Sequence, residues 1–145
     1  MIYTALTKKA MEICYRAHAG QLDKGGMPYV FHPLHVAEQM EDEYSTCVAL
    51  LHDTVEDGGI ELSDLYEADF PEEIVRTVDI LTRREDEPYM EYIERLKENS
   101  LAVKVKLADL DHNSDMSRLN IITKWDMERK EKYERAIAML KDSQL

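Results

Sequence analysis

Apolar positions recur three and four residues apart along most of the chain, and Pro and Gly fall between the periodic segments rather than inside them. That spacing predicts helices throughout, with no strand alternation. Leu6, Ala10, Ile13, Cys14 and Ala17 share one face of a first helix that stops near Ala19-Gly20, where glycine can end it. Gln21 to Phe31, carrying Gly25, Gly26 and Pro28, is the longest loop. His32-Pro33 reads as a helix start with Pro at the first helical position, running to about Glu43. Ser45 is placed to cap the next helix, Thr46 to Val55, whose nearly continuous apolar residues mark a central, buried element closed by Gly58-Gly59. A short helix is expected over Ser63 to Ala68, another opened by Phe70-Pro71 through Leu81, and one started by Pro88. Ser100 is expected to cap a helix reaching about Asn113, and a tail helix from Thr123 to Lys141 puts Trp125, Tyr133, Ile137 and Leu140 on one core-covering stripe.

At 145 residues the expectation is one domain, 1–145, all-α, with enough chain to bury a core without disulfides. Two cysteines, Cys14 and Cys47, sit among apolar neighbours and read as reduced core residues of a cytoplasmic protein. Met1 is followed by polar residues, and no apolar run approaches the roughly 18 residues of a membrane span, so no membrane partner is expected. A net charge of −12 argues against duplex nucleic acid, which needs a broad basic surface to displace counterions. A small anionic substrate is compatible with that charge, because a cation and a few well-placed Lys or Arg side chains suffice.

The chemistry concentrates at His52-Asp53, which closes the apolar run Val48-Ala49-Leu50-Leu51 and precedes Glu56 and Asp57. Imidazole and carboxylate at the end of a buried helix cost desolvation energy unless something pairs with them, and a divalent cation does so well. On a continuing helix Glu56 lies one turn beyond His52 and Asp53, and Asp57 one turn beyond Asp53, where carboxylates can orient or deprotonate a water. A helix C-terminus does not favour acids, which weighs against a purely structural acidic end. His32 and Asp109 could complete the set, with His35 and Asp111 as rivals on spacing alone. Lys24, Arg83, Arg84, and Lys104 or Lys106 are candidates to meet substrate charge, and Tyr29 and Tyr89 either stack on a base or pack.

Ala17-His18-Ala19-Gly20-Gln21, then Pro28-Tyr29-Val30-Phe31-His32-Pro33, then Leu50-Leu51-His52-Asp53-Thr54-Val55-Glu56-Asp57, then Val105-Lys106-Leu107-Ala108-Asp109 with Asn113 occur in order between about Thr4 and Leu119. Together they resemble the HD-type hydrolase domain of the RelA/SpoT family and its small stand-alone alarmone hydrolases. The resemblance implies an all-α HD bundle around one divalent ion, usually manganese. It also implies removal of the 3′-pyrophosphate from guanosine penta- or tetraphosphate, the nucleotides of the stringent response. By position it implies His32, His52, Asp53 and Asp109 as metal ligands, Glu56 and Asp57 as the catalytic pair, and Asn113 as a nucleoside contact. On ligand chemistry alone iron or zinc would also suit.

The chain departs from the family pattern in two places. Its loop reads Gln21-Leu22-Asp23-Lys24 where the family commonly has Gln, any residue, Arg, Lys, and Leu110-Asp111-His112-Asn113-Ser114-Asp115 is less basic than usual, with Arg118 able to substitute from one turn further on. Both lower the positive charge where a pyrophosphate-bearing nucleotide would bind. The alternative enzyme reading is therefore the same chemistry on another nucleotide or a phosphorylated dinucleotide. A third reading, a metal-retaining module without turnover, would have no need of Glu56 and Asp57.

Overall fold

The computed structural model describes residues 1–144. Helix α1 (Ala5–Ala17) is opened by Thr4, whose hydroxyl accepts the Thr7 N–H while the Thr7 hydroxyl accepts the Thr4 N–H. It is followed by α2 (Phe31–Glu38), α3 (Glu43–Leu51), α4 (Thr54–Asp57), α5 (Leu62–Glu67), α6 (Glu72–Leu81), α7 (Tyr89–Leu96), α8 (Ser100–Ser114) and α9 (Lys124–Asp142), with one 3-10 turn at Met116–Arg118. Among the described residues the only extended pairing is an isolated bridge, Leu22 with Pro28, which pinches the long loop into a hairpin. The all-α expectation is met.

The near-continuous apolar run becomes the centre of the bundle, as its composition demands. Every α3 residue from Ser45 to Leu51 is buried, and the helix packs on α1, α2, α6 and α8. Leu50 and Leu51 meet Val36 of α2, Ile74 and Val78 of α6, and Leu110 of α8 in one core, where a fully buried aliphatic side chain is worth about 1.5–3 kcal/mol. Cys14 and Cys47 are buried free thiols, both pushed up to about 12 mainly by that burial. No helix among the described residues is long and apolar enough to cross a membrane.

Several boundaries differ from those the sequence predicts. Helix α2 starts at Phe31, so Pro33 occupies its third position; Pro is tolerated there because first-turn N–H groups have no intrahelical partner. It ends at Glu38 rather than Glu43, because Asp42 is already the cap of α3, its carboxylate accepting the Ser45 N–H at 2.8 Å. Ser45 is thus the capped residue, not the cap. The helix expected to continue to Val55 breaks at His52-Asp53, and Thr54 spans the break by donating its hydroxyl to the Leu51 carbonyl. Asn99, not Ser100, caps α8 by accepting the Ala102 N–H. Trp125 is 65% exposed. It sits in the first turn of α9 beside the exposed Ile121 and Ile122, and only the later turns, through Ala136 and Leu140, reach the core.

Candidate metal centre

Three helices that cross the core each deliver part of one polar cluster. His32 comes from the first turn of α2, His52 from the end of α3 with Asp53 beside it, and Asp109 from the middle of α8. His32 Nε2 lies 2.7 Å from Asp109 Oδ1, His52 Nε2 lies 3.1 Å from Asp53 Oδ2 and 3.3 Å from Asp109 Oδ1, and His32 Nε2 lies 4.0 Å from Asp53 Oδ2. One donor atom from each residue falls within 4.8 Å of all the others. Ligand bonds of about 2.0–2.2 Å put the donors around a shared ion about 3–4 Å apart, so four converging imidazole and carboxylate atoms fit one divalent cation. His35 and Asp111, the rivals on spacing, are outside this group.

Each donor is held by a further contact. His52 Nδ1–H donates to the Ala49 carbonyl at 2.5 Å, which turns Nε2 toward Asp53 and Asp109. His32 Nδ1 is 2.6 Å from His112 Nδ1, one ring donating to the other nearly in plane, and His112 stacks on His35. The Tyr29 hydroxyl donates to Asp53 Oδ2 at 2.5 Å. Lys106 Nζ donates to Asp109 Oδ2 at 2.8 Å, and Asn113 Nδ2 donates to Asp109 Oδ1 at 3.2 Å. Burial by itself would raise the Asp109 carboxyl, but Lys106, His52 and His32 outweigh it and hold the group well below the usual carboxylate range. Burial opposes the charge of Lys106 too, and the Asp109 carboxylate beside it overcomes that, holding the ammonium well above the usual lysine range.

The acidic pair stands at the edge of this cluster on α4. Asp53, Glu56 and Asp57 each offer an oxygen within the same 4.8 Å limit. Partial burial, then the charges of Asp53 and Asp57, push Glu56 up to about 7 although part of its surface is exposed. Asp57 is raised for the same kinds of cause. The turn carrying the pair is fastened to the end of α1: Gln21 Nε2 donates to the Asp57 carbonyl at 2.8 Å while Gln21 Oε1 accepts from His18 Nδ1 at 2.9 Å. A Cβ at Gly58 would lie 2.8 Å from both the Ala17 Cβ and the Thr54 carbonyl oxygen, so this close approach requires glycine.

A cavity of about 250 Å³ opens from His32 outward, between the 22–29 loop, the segment after α8 and the start of α9. Of the side chains expected to meet substrate, Lys24 and Asn113 line it; Arg83 and Lys106 do not. Arg83 lies over the Tyr89 ring and donates Nε to the Glu87 carbonyl, closing its own turn, and Lys106 is spent on Asp109. Tyr29, expected either to stack on a base or to pack, lines the cavity, packs on the His18 and His32 rings and also donates its hydroxyl to Asp53. His112 and Arg129 were not singled out in the sequence, and Tyr133 only as part of a core-covering stripe. His112 falls three residues after Asp109, one turn along α8, a spacing that marks it; Arg129 and Tyr133 reach the cavity only because α9 folds back over α8.

An HD domain model matches residues 10–106. The chain is 34% identical over 122 residues to a probable GTP pyrophosphokinase of Mycobacterium leprae, covering 75% of this chain and 15% of that protein. It is 37% identical over 82 residues to a guanosine-3′,5′-bis(diphosphate) 3′-pyrophosphohydrolase of Borreliella burgdorferi, covering 54% of this chain and 12% of that one. It thus spans less than a sixth of the length of either. A solved structure described as a metazoan ortholog of SpoT that hydrolyzes ppGpp superposes with a TM-score of 0.79 at 23% identity, over 97% of this chain and 87% of that one; at that identity the likeness is one of fold.

Proposed function

The chain belongs to the HD-domain family, with homology to RelA/SpoT proteins, and from that premise we propose that it is a metal-dependent phosphohydrolase removing the 3′-pyrophosphate from guanosine tetra- or pentaphosphate. The observation that carries this reading is the convergence of His32, His52, Asp53 and Asp109 with Glu56 and Asp57 at their edge. Relatives bearing that activity in their names support the substrate. Residues 1–145 act as one unit in this reading, supported by the packing of α9, beyond the matched segment, on α7 and α8. The two buried free thiols favour a cytoplasmic setting, and the nucleotide places the activity in the stringent response.

When bound, manganese, or iron or zinc, would supply Lewis-acid polarisation of a phosphoryl oxygen and acidify water. His32, His52, Asp53 and Asp109 would hold it, each aimed by its second contact. Glu56, at the edge of the cluster, is placed to take a proton from the attacking water, with Asp57 orienting that water. Water adds to phosphorus, the bond from phosphorus to the ribose 3′ oxygen breaks, and that oxygen acquires a proton. Asn113 and Lys24, on the cavity wall, would contact the nucleoside and its phosphates.

One observation favours a second reading. The cavity lining holds three carboxylates, Asp23, Asp115 and Asp126, against three cations, Lys24, Arg118 and Arg129, so it carries no net charge. A less charged phosphate ester, including a phosphorylated dinucleotide, would fit that lining with the same chemistry. Purified protein loaded with manganese should release pyrophosphate from guanosine tetraphosphate, and Glu56→Gln should stop release while leaving the ion bound. Turnover of other phosphate esters alone would replace the substrate assignment; silence with stoichiometric ion would reduce the chain to a binding module.

A further inference from the structure

Two of the three cations in the cavity wall are already neutralised by acids of the same wall. Arg118 Nη1 meets Asp23 Oδ2 at 3.2 Å, and Arg129 is paired with Asp126 one turn away on α9. Lys24 makes no ion pair among the described residues. The two pairs differ in kind. Asp126 is the third residue of α9 and closes the capping box with the cap Thr123, its carboxylate accepting the Thr123 N–H and hydroxyl, so its bond to Arg129 belongs to the start of α9. Asp23 instead joins the 22–29 loop to a residue 95 positions away.

Asp23 does two separable things with its two oxygens. Oδ1 accepts the Gly25 and Met27 N–H groups at 2.9 and 3.0 Å and shapes the hairpin. Oδ2 faces the Arg118 guanidinium, whose other terminal nitrogen donates to the His112 carbonyl and whose Nε is buried without a partner. The loop is pressed close to this arginine: a Cβ on Gly25 would lie 2.5 Å from the Arg118 carbonyl oxygen. The guanidinium is therefore fixed at the cavity wall with one N–H unsatisfied, and its charge is cancelled from the opposite side.

We propose that Asp23 is the specificity-determining residue of this cavity, holding Arg118 neutralised so that the site draws little affinity from added phosphates and does not select its ligand by phosphate number. Each added phosphate on a ligand must compete with Asp23 for Arg118 or sit near an uncompensated carboxylate, so affinity gains little from added charge. This assignment rests on the reading that the cavity takes a phosphorylated nucleotide. Asn at position 23 separates the two jobs, since its amide oxygen can still accept from Gly25 and Met27 while the charge facing Arg118 is gone.

The test is the binding of guanosine 5′-mono-, di- and triphosphate and of guanosine tetraphosphate to the metal-free full chain by calorimetry at fixed ionic strength. Wild type, Asp23→Asn and the double variant Asp23→Asn/Arg118→Gln are compared, with thermal melts confirming that each is folded. The wild-type affinity should stay nearly flat along the series. In Asp23→Asn it should rise about tenfold from mono- to triphosphate, the scale of one charge-assisted hydrogen bond. The double variant should return it to flat. A steep wild-type series, an unchanged Asp23→Asn series, or a gain that survives loss of Arg118 would each overturn the proposal. Hydrolysis of guanosine tetraphosphate, scored separately, tells the two readings apart: its absence with the expected binding pattern removes the substrate assignment and leaves Asp23 as selector, while its presence without the pattern does the reverse.

Discussion

The donor cluster and the cavity wall lie side by side and are built on opposite plans. In the cluster, His32, His52 and Asp109 are each 3% exposed, stand on helices crossing the core, and are aimed by a second hydrogen bond shared with His112, given to the Ala49 carbonyl or received from Lys106. In the wall, the polar side chains come mainly from a pinched loop, the end of α8, a 3-10 turn and the first turns of α9, and two guanidinium nitrogens, on Arg118 and Arg129, are left without partners. The difference separates chemistry from choice. Packed helices hold ligating atoms at fixed spacing, whereas loop residues can change charge without disturbing the core, so what the site does is rigid and what it does it to is adjustable.

The contrast breaks first at the ligands. Asp53→Ala should lose stoichiometric ion, measured by metal analysis after dialysis, together with all turnover, at a stability cost of only about 1 kcal/mol. Asp109→Ala should lose both and also destabilise by about 3 kcal/mol in urea unfolding, because it strands the nearly buried ammonium of Lys106. Equal stability losses would mean Lys106 does not depend on Asp109. Next in size, Glu56→Gln should keep the ion and lower kcat by about 10²–10⁴-fold in pyrophosphate release; loss of ion in that variant would move Glu56 into the ligand set.

Tyr29→Phe tests whether second contacts matter as the cluster implies. Removing the hydroxyl that donates to Asp53 should weaken ion affinity about tenfold in competitive chelator titration, with nucleotide binding to the metal-free chain unchanged. The smallest effect lies away from both regions. Glu87, paired with Arg95 at 2.9 Å, is held down to about 2, first by the hydrogen bonds from Arg95. Its folded pKa is depressed, so the pair contributes above the unfolded value near 4.5 and is lost as pH falls toward 2. Glu87→Gln should therefore cost about 1 kcal/mol at neutral pH, after screening of a surface pair, and progressively less on acidification, read as the gap between melting curves; a gap that widens in acid would contradict the pairing.

The helical periodicity, the buried run before His52 and the order of four short motifs were legible in the primary structure, and they carried the fold class and the residues that converge on the cluster. Helix ends were less legible. Asp42 and Asn99 took the caps expected of Ser45 and Ser100, since neighbouring polar residues cap about equally well in isolation and only packing chooses between them. The break at His52-Asp53 has no proline or glycine to announce it. It matters nonetheless, because it turns Asp53 and the acidic pair out of the line of α3 and toward the same space.

By itself the sequence determined what is local or periodic: which faces are apolar and which residue types can hold a cation. Only the tertiary structure decided what pairs across distance. His32 with Asp109, Tyr29 with Asp53, and Asp23 with Arg118 are brought together by the packing of α2, α3 and α8 and by one hairpin. Lys106, as plausible a substrate contact as any basic residue on spacing, is taken by Asp109 one turn along α8 because burial leaves its ammonium no nearer solvation. The physical reason is common to all four: hydrophobic periodicity specifies how helices pack, and packing specifies which charges lose water and must find each other.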